Sequence, residues 1–311
     1  MNPKTSGLLL ICVTALKNFQ TQIGARKIKK DKNKISNPLL FRPVFEKTKG
    51  LDGFVSIEVS PLLAYDTQAT VEEARLLHRS VNRKNVMIKV PATPAGIPAI
   101  ETLIGEGISV NVTLIFSVKR HEEVMFAYLS GLEKRLAAGK PVSDTASVAS
   151  FFVSRVDALA DKEIGGREEL KSLLGKAAIA HSKIAYAQFK HIFSGERFKE
   201  LKSRGARVQR PLWASTGTKN PAYSDVLYVE ALIGPDTVNT IPPATLAAFR
   251  DHGKARPLLE TDLDGARRTL HALHEGGIDL NLIARALEGA GVKLFADSYT
   301  KIIEGIRRKI K

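Results

Sequence analysis

Lys89 stands inside an apolar run, Val86-Met87-Ile88-Lys89-Val90-Pro91. A lysine is almost never fully buried without a partner or a task. Parallel strands covered on both faces read as short, nearly continuous Val/Ile/Leu runs. A lysine in such a strand loses solvation, which favours its uncharged form. An uncharged amine can attack a carbonyl and form a Schiff base. The plainer alternative is a strand-end lysine that reaches solvent or pairs with a carboxylate.

The same design recurs along the chain. Phe54-Val55-Ser56-Ile57-Glu58-Val59-Ser60-Pro61 carries a lone carboxylate, Glu58. Ile108-Ser109-Val110-Asn111-Val112-Thr113-Leu114-Ile115-Phe116 sets polar groups at alternate positions, and Val148-Ala149-Ser150-Phe151-Phe152-Val153-Ser154-Arg155 follows. Helical patterns lie between these runs. Thr70-Val71-Glu72-Glu73 has the form of a capping box, with Ala74, Leu76, Leu77 and Val81 at helical spacing after it. Ile97, Ile100, Leu103 and Ile104 form another helical face. Strands alternating with helices predict a parallel sheet of βα units. Glu58 and Lys89 are 31 residues apart, and Lys89 and Thr113 are 24 apart, each suited to one such unit. In an α/β barrel, polar groups near the C-terminal strand ends converge on one mouth, where active sites lie. Glu58, Lys89, Asn111, Thr113, Ser150 and Arg155 are therefore candidates for a single pocket.

Further along, residues 118–137 read as a helix ending near Gly139, and 172–193 as a second long helix. Residues 209–216 read as a strand, 226–233 as a helix that stops at Gly234, and 236–240 as a short strand. Residues 259–311 read as helices broken at Gly276-Gly277 and around Gly289 to Gly291. Six strands are expected in all. The loop Ser215-Thr216-Gly217-Thr218-Lys219-Asn220-Pro221 offers hydroxyls, a glycine that lets backbone amides approach, and a lysine charge. Such a loop after a late barrel strand suits phosphate; the alternative is a polar surface turn.

At 311 residues the chain can form one α/β barrel. The single Cys12 excludes an intramolecular disulfide and fits a reducing, cytoplasmic compartment. The seven histidines are scattered, and no metal and no other cofactor is expected. No apolar run reaches the roughly 18–20 residues of a membrane span, so a membrane is not an expected partner. Residues 7–16 loosely resemble a signal-peptide core, but Lys17 and Asn18 follow where a small-x-small cleavage site would stand, and secretion is not expected. The net charge is +15, of which residues 1–35 hold +7 with Asp31 their only acid. A basic surface can steer anionic substrates. Phe19 is the one aromatic in that stretch, so a solvated, disordered leader is expected rather than a nucleic-acid arm.

Together these segments resemble the transaldolase family, over about residues 39–305, and especially the subfamily also found fused to glucose-6-phosphate isomerase. The resemblance rests on the Gly53 to Pro61 run, on Met87-Ile88-Lys89-Val90-Pro91-Ala92-Thr93, and on Asn111-Val112-Thr113-Leu114-Ile115-Phe116-Ser117. It continues in Ser150-Phe151-Phe152-Val153-Ser154-Arg155-Val156-Asp157 and from Trp213-Ala214-Ser215-Thr216 to Asn220-Pro221. The resemblance implies a (β/α)8 TIM-type barrel and a metal-free Schiff-base transferase. It implies that Lys89 attacks the ketone of fructose 6-phosphate or sedoheptulose 7-phosphate. A dihydroxyacetone unit is then passed to glyceraldehyde 3-phosphate or erythrose 4-phosphate, in the non-oxidative pentose phosphate pathway. Glu58 matches the glutamate that moves protons through a bound water, and Thr113 the residue that holds this water. Asn111 and Ser150 match groups that bind hydroxyls of the three-carbon unit. Arg155 and Ser215 match the phosphate clamp, and Lys219 stands where a second basic group is usual.

The chain departs from the family at its start. The family carries an aspartate on its first barrel strand and a Thr-Ser-Asn-Pro segment on its second. Here only residues 1–38 precede the first matching helix, and two more βα units would need about 30 residues each. Asp31 lies in a lysine-rich stretch, and Ser36-Asn37-Pro38 stands too close to Gly53 for the usual intervening helix. The expectation is an N-terminally truncated barrel over 39–311, lacking the first two βα units, behind an unrelated basic leader over 1–38. No isomerase domain is expected after it. Schiff-base formation is expected to survive and aldol cleavage to be impaired. Two alternatives stay open: a fructose-6-phosphate aldolase that releases free dihydroxyacetone, and a non-catalytic protein whose leader contacts RNA or another polyanion. A homo-oligomer is also left open.

Overall fold

The computed structural model describes residues 37–310. Residues 1–36 of the expected leader, among them Cys12, Asp31, Ser36 and the apolar stretch 7–16, lie outside the described residues.

Six strands form one parallel sheet in the order of the sequence: β1 (Val55–Glu58), β2 (Val86–Pro91), β3 (Val110–Ile115), β4 (Ser147–Phe152), β5 (Arg210–Ala214) and β6 (Val238–Asn239). Helices connect them: α2 (Thr67–Val81), α3 (Gly96–Glu106), α4 (Val118–Ala137), then α5 (Ser154–Ile164), α6 (Ala177–Ser194) and α7 (Glu196–Ser203), then the short α8 (Leu227–Ala231). α1 (Asn37–Lys47) precedes β1, and α9 (Pro243–His252), α10 (Leu263–Glu275) and α11 (Leu280–Ile310) follow β6. Parallel strands laid down in chain order with a helix between neighbours make the wall of an α/β barrel. The sheet curls. Arg210 donates to the carbonyls of Leu51 (3.0 Å) and Thr237 (2.8 Å), and Arg207 to those of Lys49 (2.9 Å) and Gly50 (2.5 Å). The chain entering β1 is thus tied to the feet of β5 and β6. No pairing between β6 and β1 occurs among the described residues.

The expected strands lie where the apolar runs put them, though the last is only two residues long. Four helical readings need correction. α2 begins at Thr67, capped by Asp66, whose carboxylate accepts the Ala69 N–H (2.9 Å). Thr70 therefore lies inside the helix, and Glu73 accepts the Ser60 N–H (2.7 Å) rather than closing a capping box. The helix expected over 172–193 is a 3-10 turn (Glu168–Leu173) and then α6, parted at Gly175, whose φ is +70°. The helix expected over 226–233 shortens to the five residues of α8. Gly289 and Gly291 do not break the C-terminal helix. A Cβ on Gly291 would stand 3.0 Å from Leu114 Cδ2, so the glycine is what lets α11 approach β3.

The core carries two buried imidazoles. The Phe151 ring lies between His121 and His181, with centroids at 5.7 and 5.3 Å. His181 Nε2 accepts the Val118 N–H at the start of α4 (3.3 Å). Burial pushes both imidazoles down to about 4, and for His121 the neighbouring His181 adds to the shift. The unfolded chain binds protons near 6.5, so the stability held by this pair is present above pH 6.5 and lost as pH falls through 4. Each histidine accounts for about 3 kcal/mol of that loss. Asp157 works the other way. Burial raises it to about 6, against the Ala178 N–H and the Tyr228 hydroxyl that bond it. Its contribution is present below pH 3.8 and lost as pH rises through 6, so acidification returns about 3 kcal/mol. Asp52 and Glu288, both raised chiefly by burial, act in the same direction as Asp157 but are more exposed. The two histidines outweigh Asp157, and stability is expected to fall by about 3 kcal/mol from pH 7 to pH 4. Urea melts across this range check it. His121→Gln should flatten the fall, and a native protein that gains stability on acidification would contradict it.

Candidate active site

Strand register puts Glu58 beside Lys89 and Lys89 beside Asn111, one row across β1, β2 and β3. Side chains two apart on a strand share a face, so Ser56 and Glu58 point the same way, as do Asn111 and Thr113. The bonds follow that face. Lys89 Nζ lies 2.9 Å from Glu58 Oε1, with both side chains just under one-fifth exposed. Asn111 Nδ2 donates to Ser56 Oγ (2.9 Å), and Ser150 Oγ donates to Asn111 Oδ1 (2.7 Å). Five of the expected pocket residues, Glu58, Lys89, Asn111, Thr113 and Ser150, therefore line one polar face inside the curl.

Next to Glu58 is a cavity of about 10 Å³, lined by Thr113, Pro91, Leu114, Val292 and Phe295. Thr113 is buried, and its Oγ1 has no hydrogen-bond partner among the described residues. That volume is the lower limit for a single water. The register of β3 against β4 shifts between Val112 and Ile115, and Leu114 has a φ of +59°. Non-glycine residues seldom adopt this conformation, and such strain gathers at functional sites.

A second corner forms where α5 begins. The Ser154 N–H donates to the Ser215 carbonyl (3.1 Å), and the two hydroxyls are 3.0 Å apart. Ser215 also holds a left-handed conformation, with φ +59°. Arg155, in the first turn of α5, lays its guanidinium over the Phe152 ring at 5.5 Å. A helix N-terminus with two hydroxyls and a guanidinium suits an anion. Lys219 is exposed and borders a neighbouring cavity of about 180 Å³ with Ser154, Asp157, Asp161 and Tyr223. Its surroundings thus include two carboxylates, Asp157 and Asp161.

Sequence reasoning missed three contributors. Ser56 anchors Asn111, and its place two residues before Glu58 was the available signal. Phe152 supports Arg155 and packs on Phe116 with centroids 4.9 Å apart. Phe295 brings its ring to within 5.1 Å of Lys89 Nζ from the C-terminal helix.

The fold and this row of residues define an α/β-barrel protein with a lysine–glutamate pair on the inner face of its strands. The family described as Transaldolase/Fructose-6-phosphate aldolase matches residues 10–306. "Transaldolase 2" of Nostoc sp. is 46% identical over 285 residues, 88% of this chain and 75% of that protein. "Transaldolase" of Thiobacillus denitrificans is 50% identical, over 86% of this chain and 75% of its own length. "Transaldolase" of Parafrankia sp. is 48% identical, over 87% and 74%. The chain belongs to the transaldolase/fructose-6-phosphate aldolase family. Among the described residues no helix is long and apolar enough to cross a membrane.

Proposed function

We propose that this chain is a transaldolase acting on sugar phosphates, with residues 39–311 as its barrel domain. The observation that carries the reading is the 2.9 Å approach of Lys89 Nζ to Glu58 Oε1, in register with Asn111. Lys89 is the nucleophile. Its nitrogen lone pair forms the C–N bond to the ketone carbon of a ketose phosphate, and the carbonyl oxygen leaves as water. The resulting iminium accepts the electron pair of the neighbouring C–C bond as that bond breaks. An aldose phosphate departs, and a dihydroxyacetone unit stays on Lys89 as an enamine. Attack of the enamine carbon on a second aldose phosphate, followed by hydrolysis of the iminium, completes the transfer. Covalent catalysis divides one difficult step into easier ones.

Glu58 moves the protons that dehydration of the carbinolamine and hydrolysis of the iminium require, through a water held by Thr113 Oγ1, a buried hydroxyl with no hydrogen-bond partner among the described residues. Asn111 and Ser150 hold hydroxyls of the three-carbon unit. Arg155, Ser215 and the start of α5 hold the phosphate, with Lys219 as a looser second cation. Glu58 is the only carboxylate on the six described strands.

The test mixes the protein with fructose 6-phosphate, with and without erythrose 4-phosphate. Sedoheptulose 7-phosphate and glyceraldehyde 3-phosphate should form when the acceptor is present. Free dihydroxyacetone without acceptor would favour the aldolase alternative, and no product under either condition would overturn the transferase reading.

A further inference from the structure

We propose that Phe295 is a charge-stabilising residue of the Schiff-base site, its ring face holding the positive nitrogen that the reaction creates on Lys89. The inference rests on the reading of Lys89 as nucleophile and goes beyond it, because Phe295 comes from a helix outside the barrel wall. α11 crosses the mouth, packed on β3, on α5 and on the 3-10 turn Pro61–Leu63 that follows β1. Gly291 lets it settle against Leu114 and Phe116. Val292 is buried there, and Phe295, one turn on, is half-buried with its centroid 5.1 Å from Lys89 Nζ. The same ring walls the small cavity beside Glu58 and Thr113.

An aromatic face carries negative charge density and attracts a cation within about 6 Å of its centroid. Lys89 nitrogen is cationic as an ammonium, facing Glu58, and cationic again as the protonated iminium. Once Nζ is bonded to the ketone carbon it has lost two of its three N–H donors, and its pairing with Glu58 is correspondingly reduced. The ring, which needs no donor, goes on stabilising the charge. Charged groups on α11 near this point, Lys293 and Asp297, pair with each other at 2.7 Å on its exposed side. Arg155, on α5, is engaged by Phe152. Among the described residues, Glu58 and the Phe295 face are charge-compensating features at the nitrogen.

The test replaces Phe295 with 4-fluoro-, 3,5-difluoro- and 3,4,5-trifluorophenylalanine. These keep the shape of the ring and progressively empty its face of charge. Phe295→Leu, which removes the face and keeps an apolar side chain, is the simpler companion. Borohydride trapping with fructose 6-phosphate reads the iminium. Trapping should weaken stepwise with fluorine count, reaching a drop on the order of tenfold, while the melting temperature stays put. Phe295→Trp should trap at least as well as the native protein. Equal trapping across the fluorinated series overturns the inference and leaves Lys89 as nucleophile untouched. Absence of any Lys89 adduct in the unsubstituted protein overturns the underlying reading, and this inference with it.

Discussion

Lys89→Met is expected to lower transfer by roughly 10⁴–10⁶-fold, the scale on which removal of a covalent nucleophile acts. Methionine keeps most of the length and volume of the side chain and removes the attacking nitrogen. Lys89→Arg is expected to fail to the same degree, since guanidinium stays protonated and does not form a Schiff base. The two variants separate chemistry from charge, because arginine can still pair with Glu58. The fold should survive in both. Lys89 is one-fifth exposed, and its neighbours Ile88 and Val90 carry the packing of β2. A Lys89→Met protein that melts like the native one and transfers normally would contradict the assignment.

Glu58→Gln has the second-largest expected effect. Glutamine keeps the shape and a hydrogen-bonding group near Lys89 Nζ and loses the ability to take up a proton. General acid–base assistance is worth about 10²–10⁴-fold, and the loss should fall in that range. It should fall on kcat more than on KM, because Asn111, Ser150 and the corner of Arg155 and Ser215 are left to bind substrate. Thr113→Val should produce a smaller loss of the same kind, since it removes only a buried hydroxyl that has no hydrogen-bond partner among the described residues. Steady-state kinetics of the two variants check this. A Glu58→Gln defect confined to KM would show that the carboxylate binds substrate and does not move protons.

Much of this site was legible in the residues. The six strands are apolar runs because parallel strands are covered on both faces, and Glu58, Lys89, Asn111 and Ser150 are the polar intruders that mark the inner face. Glu58, Lys89 and Asn111 belong to successive runs, and parallel pairing in chain order sets them side by side. Other features were hidden because they depend on contacts distant in sequence. The shift at Leu114 arises from pairing with β4. α2 starts three residues before Thr70 because Asp66 provides the cap, while Glu73 turns to the Ser60 N–H. Gly289 and Gly291 read as breakers because glycine weakens helices. Ile283, Ala284, Leu287, Val292 and Phe295 keep a helical stripe running through them, and that stripe was the signal for one helix over the mouth. Nothing local to Phe295 showed that it would meet Lys89, some 200 residues away.

The central claim is that Lys89 carries the substrate. Its most direct test is reduction with borohydride in the presence of fructose 6-phosphate, followed by digestion and mass spectrometry. The account predicts a reduced sugar-derived adduct on the peptide containing Lys89, lost in Lys89→Met. A protein that stays unmodified, or one modified at another lysine with Lys89 intact, would contradict it.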